Sequence, residues 1–90
     1  MHTTAQVLEA ENNVAVVQLA GRKYPGILIQ GDSISILLSD LKDVRNAINK
    51  SDRLSASTTL DAIEERLEAS LAYYESVLEK RGISLPYARA

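Results

Sequence analysis

The spacing of apolar and polar residues along the chain changes near residue 32. Before it, short runs rich in β-branched residues are separated by turn formers, which predicts strands. Gln6-Val7-Leu8-Glu9-Ala10 reads as a first strand with imperfect alternation, and Val14-Ala15-Val16-Val17-Gln18-Leu19 as a second. Glu11-Asn12-Asn13 joins them into a hairpin, because asparagine tolerates positive φ. Ala20-Gly21-Arg22-Lys23 is a polar connection, and Pro25 and Gly26 suit the two central positions of a type II turn. Ile27-Leu28-Ile29-Gln30 then reads as a third strand, apolar enough to be central or covered on both faces.

After residue 32 the spacing is helical. Asp32 or Ser33 is placed to cap a helix over residues 32–49. Ile34, Leu37, Leu38, Leu41, Val44 and Ile48 recur along it at three- and four-residue steps, with Ile36 off the stripe. Residues 50–57 are polar and Ser-rich and read as a loop. Thr58, with Asp61 three residues on, starts a second helix over residues 58–82. Its apolar residues are Leu60, Ile63, Leu67, Leu71, Tyr74 and Leu78. Their steps give an 11-residue period, which predicts a nearly straight helix. Lys80 and Arg81 suit the C-terminal end of the dipole, Gly82 the residue after it, and Ile83 the accompanying apolar contact. In the tail over 83–90, Pro86 forbids further helix and Leu85-Pro86-Tyr87 is expected to pack back. The prediction is one α+β domain over residues 1–90, ordered β-β-β-α-α. A small antiparallel or mixed sheet over residues 5–30 has both helices on one face.

Composition narrows the function classes. A hydrophobic fraction of 46% with 24% charged residues is that of an ordered globular chain. The absence of cysteine excludes disulfides and thiolate metal sites. No apolar run reaches the roughly 20 residues that span a bilayer. The first residues lack the pattern of a signal peptide, so a cytoplasmic location without membrane contact is expected. A net charge of −2 disfavours nucleic acid. So do the aromatics, which are four tyrosines with three in the last third of the chain.

Catalysis has little to build on. The single histidine, His2, lies at the terminus, and there is no glycine-rich phosphate loop. Neither enzymatic activity nor a cofactor is expected. Glu64 and Glu68 stand one helical turn apart, but a hard cation wants six or more oxygens from several segments, so no metal is expected.

Three constellations remain. Arg22, Tyr24, Gln30, Asp32 and Ser33 flank the third strand and could hold a small ligand or anion at the helix start, although Asp32 would repel an anion. Asp61, Glu64, Glu65, Glu68, Glu75 and Glu79 share one flank of the second helix, a solvated face or a dock for a basic protein. Ala62, Ala69, Tyr73 and Val77 lie on another flank and suit helix packing between two copies of the chain, which a small domain gains from.

Val14–Leu19 and the segment Gly21-Arg22-Lys23-Tyr24-Pro25-Gly26-Ile27-Leu28-Ile29-Gln30-Gly31-Asp32-Ser33, together with Gly82-Ile83-Ser84-Leu85-Pro86-Tyr87, resemble a family of short bacterial proteins carrying a domain of unknown function. The resemblance implies a bacterial source and an uncharacterised role, and it brings no catalytic residue. The expected function is a non-enzymatic protein-interaction module, working through the acidic flank or the Ala69–Tyr73–Val77 strip. The alternative is a small-ligand or anion binder.

Overall fold

A computed structural model describes residues 4–88. Strands β1 (Ala5–Glu11), β2 (Val14–Leu19) and β3 (Gly26–Ile29) are followed by helices α1 (Gly31–Asn49) and α2 (Arg53–Lys80), an α+β order of β-β-β-α-α. The chain divides into two compact units. One comprises the chain up to Ile29 and from Ser70 onward, and the other is Gln30–Ala69. The first part of α2 thus belongs to one unit and its last part to the other.

In the first unit the three strands form an antiparallel sheet in the order β1-β2-β3. Asn12, at φ 50°, makes the tight β1–β2 turn. Val7 opposes Val17 and Glu9 opposes Val16, so Leu8 is the extra residue of a β-bulge. The bulge aims Leu8 at the same core as Val16 and Ile27. Val16, Tyr74, Val77 and Leu78 form that core, and Ile83 and Leu85 of the tail pack against it as expected. The bulge also frees a carbonyl, and the Arg81 guanidinium donates to Leu8 O while Lys80 Nζ lies 3.5 Å from Glu9 Oε1. These two cations hold β1 to the end of α2.

Two expectations for this unit are corrected. The type II turn lies five residues earlier than Pro25-Gly26, at Ala20-Gly21. Arg22 N–H donates to Leu19 O at 3.2 Å, and Gly21 takes the positive φ (80°) that such a turn requires at its third residue. Pro25 is instead buried, with its carbonyl accepting from Tyr74 Oη at 2.6 Å, and Gly26 begins β3. The third strand is neither central nor covered on both faces. It pairs only with β2, and Leu28 is exposed.

The second unit is a helical hairpin around Val44, Ala56 and Ile63, with Leu37 and Ala47 packed against them. Asp40 and Arg66 meet at 3.2 Å along one rim. The N-cap of α1 is Gln30, not Asp32 or Ser33, and no side chain caps it. Asp32 sits in the first turn, where its carboxylate accepts the Ser33 N–H at 2.9 Å. The loop expected over 50–57 shrinks to three residues because Asp52, rather than Thr58, starts α2. Its Oδ1 accepts the Ser55 N–H at 3.1 Å, and its carbonyl accepts from Ala56. A Ser-rich stretch is as able to enter a capped helix as to form a loop.

Both helix ends are Schellman motifs. At the end of α2, Gly82 (φ 67°) donates to Glu79 O at 3.1 Å and Ile83 to Leu78 O at 2.9 Å, which bears out the reading of Gly82 and Ile83. At the end of α1, Ser51 donates to Ile48 O at 3.0 Å and Asp52 to Ala47 O at 2.8 Å. There a serine holds the left-handed position, at φ 58°. A side chain in that conformation costs roughly 1–2 kcal/mol, partly offset in glycine by its unfolded-state freedom. Ser51→Gly is therefore expected to raise stability by about 0.5–1 kcal/mol in urea denaturation, where Ser51→Ala gains nothing.

Hydrogen bonds from Ser55, side chain first and then backbone, hold the Asp52 carboxyl below the ordinary aspartate range, with Lys50 a smaller contribution. A depressed carboxylate pKa means stability present above the unfolded-state value and lost as pH falls through the folded-state value. The melting-temperature advantage of the wild type over Asp52→Ala is thus expected to be flat from pH 7 to about 5, and to shrink progressively as the pH falls below about 4 toward the lowered folded-state value. Asp52→Asn, which caps without titrating, should keep its advantage throughout that range.

Candidate interaction surface

The five residues of the ligand-binding reading divide between the units, Arg22 and Tyr24 in the first and Gln30, Asp32 and Ser33 in the second. Each has a local structural role. The Arg22 carbonyl accepts from Gln18 Nε2 at 2.6 Å, Lys23 lies over the Tyr24 ring, and Asp32 binds Ser33. Gln30 O accepts from the N–H groups of Ser33 and Ile34 in the opening turn of α1.

The strip along Ala69, Tyr73 and Val77 is corrected as a docking surface. Val77 is fully buried in the core of the first unit, and Tyr73 packs against the same core. Ala69 is exposed. The Tyr73 hydroxyl is buried without a hydrogen-bond partner among the described residues. Burial, and then the charges of Glu9 and Glu11, push its pKa up. The flank read from sequence as spare is therefore the flank that α2 uses to cover the sheet.

The acidic flank divides likewise. Asp61, Glu64 and Glu68 are exposed on the second unit. Glu75 is half-buried and accepts from Tyr87 Oη at 3.0 Å, which ties the tail to α2.

The sequence reading missed a surface on the helical hairpin. Ile34, Leu38, Leu41 and Ile48 of α1, and Leu60 and Leu67 of α2, are each between 39% and 62% exposed. At about 100° per residue, the four α1 side chains fall within an arc of about 80°, beside the arc of Leu37 and Val44 that faces α2. Leu60 and Leu67 stand in the same way beside Ile63 and Ala56. Asp40 and Arg66 lie on the opposite side of those buried residues and meet each other. The exposed side chains of both helices must therefore share the other rim, where they form one apolar face. At its loop end is a groove of ≈ 490 Å³ lined by Ile48, Ser51, Arg53, Ala56, Ser57 and Leu60. The signal was present in the sequence. An apolar arc on α1 running from Val44 round to Leu38 is wider than one neighbouring helix covers.

The sheet of the first unit also leaves apolar residues outside. Val7 and Leu28 are exposed on the face opposite Val16. Among the described residues, no helix is long and apolar enough to cross a membrane. No cluster of three or more histidine, aspartate or glutamate residues among them is placed to hold a metal ion.

No curated protein and no solved structure matches the chain. The model of a family of unknown function, DUF6959, matches residues 1–87, and the chain belongs to that family.

Proposed function

We propose that this protein is a non-enzymatic protein-interaction module whose working surface is the open apolar face of the α1–α2 hairpin. One observation carries the reading: six large aliphatic side chains on one face of a two-helix unit whose own core holds three buried residues. Contiguous apolar patches of this kind mark association sites. The face has the anatomy of an interface, a largely apolar centre that includes Arg45, beside a charged rim of Asp61, Glu64 and Glu68 on α2 and Lys42 on α1.

The test is site-specific photocrosslinking in an extract of the native host. A photoreactive residue at Leu38 or Leu41 should join the chain to protein, and one at Asp43, on the far flank of α1, should not. Equal labelling at all three positions, or none at any, would remove the reading.

A further inference from the structure

We infer that the occupant of the hairpin face is a second copy of the same chain. The two hairpins would pack with their loops at the same end, α1 of each copy lying along α2 of the other. This rests on the face proposed above and adds its partner and geometry.

The register of the hairpin carries the inference. The three-residue loop sets the relative height of the two helices, because Ser51 donates to Ile48 O and Asp52 to Ala47 O. Counting at 1.5 Å per residue from Ser51 at the centre of that loop, Leu41 and Leu60 come within about 2 Å of one level, as do Ile34 and Leu67, and Lys42 and Asp61. The face is thus layered, apolar at Leu41/Leu60 and again at Ile34/Leu67, with Lys42 and Asp61 on its two outer edges beside the first layer. None of Lys42, Arg45, Asp61 and Glu64 forms an ion pair within the chain among the described residues.

A two-fold axis parallel to the helices superposes each layer on itself. It places α1 beside the partner's α2 at matching height, so that Lys42 meets an aspartate and the aliphatic layers meet each other. A two-fold axis across the helices sets α1 against α1 and α2 against α2, and charge forbids that. On its exposed flank α1 carries Lys42, with Arg45 within its stripe, while α2 carries Asp61, Glu64 and Glu68, with Arg53 at the loop end. Opposite signs meet in the first arrangement and like signs in the second, the logic by which flanking charges choose partner and orientation in helical bundles.

The size is that of a small interface, which sets the expected affinity low and the concentration series wide. From Ile34 to Ile48 the face is about 21 Å long, and two helices make it about 20 Å wide. The flat footprint is about 400 Å², which side-chain relief carries toward the roughly 800 Å² per partner of a stable complex.

The experiment is light scattering and native mass spectrometry on the full chain over a concentration series, with two double variants. Lys42→Glu/Arg45→Glu makes both rims acidic, and Glu64→Lys/Glu68→Lys makes both rims basic. The expected result is a wild-type dimer. Each variant alone should be monomeric, or should dissociate at on the order of a hundredfold higher concentration. An equimolar mixture of the two should restore a dimer that is specifically mixed. Circular dichroism of each variant checks that the helices persist.

A wild-type monomer at every concentration up to several hundred micromolar overturns the inference. Crosslinking of Leu38 to a different protein would then leave the interaction reading standing, so the two fail separately. A wild-type dimer indifferent to both charge variants also overturns it, because the face would not be what joins the copies.

Discussion

Tyr74→Ala is expected to cost about 3–5 kcal/mol of stability, the range for removing a large buried aromatic. The ring is 4% exposed among Val16, Val77 and Leu78, and it stacks on Tyr87 with centroids 6.4 Å apart. Its hydroxyl donates to the carbonyl of Pro25 at 2.6 Å, and burial raises its pKa. Tyr74→Phe separates the two contributions. It keeps the packing and strands one carbonyl, which should cost about 1–3 kcal/mol. Urea denaturation followed by circular dichroism measures both. Equal losses for the two variants would mean that the hydrogen bond, and not the packing, is what Tyr74 supplies.

Ile63→Ala should cost about 2–5 kcal/mol, and the loss should be local. Ile63 is one of three buried side chains in the hairpin, beside Val44 and Ala56, and the other two are too small to close the cavity. Native-state hydrogen exchange should show faster exchange of amides in α1 and the first part of α2. The strand amides of the first unit should keep their protection, because they belong to a separate core. Uniform acceleration across both units would show that the two cores open as one.

The order of elements was legible because each carried a local physical signal. The β-branched run Val14–Leu19 is a strand, and Gly82 before Ile83 ends a helix. What misled was competition between equally good local choices. Asp52 and Thr58 can both cap a helix, and only the hairpin core around Ala56 favours the earlier start. Gly21 and Gly26 can both serve a type II turn, and strand pairing takes Gly26.

The surface was harder to read, because periodicity reports which residues are apolar and not which neighbour covers them. Tyr73 and Val77 lay off the main stripe of α2 and looked spare until the sheet claimed them. Leu38 and Leu41 lay on the main stripe of α1 and looked buried, but the hairpin leaves them open.

The division of the chain into units also bears on the order in which the protein acquires its structure. The hairpin is made of neighbours in sequence, so its contacts close short loops. The sheet is covered by residues far downstream: Pro25 and Tyr74 are 49 positions apart, and Leu8 and Arg81 are 73. During synthesis the strands emerge first, yet their inner face gains its cover only after Tyr74, Val77 and Leu78 have left the ribosome. The hairpin is complete before then, and once folded it shortens the span that must close. The sheet, first to be made, is thus the last part to become stable, and its unprotected interval is when a nascent chain would most need a chaperone.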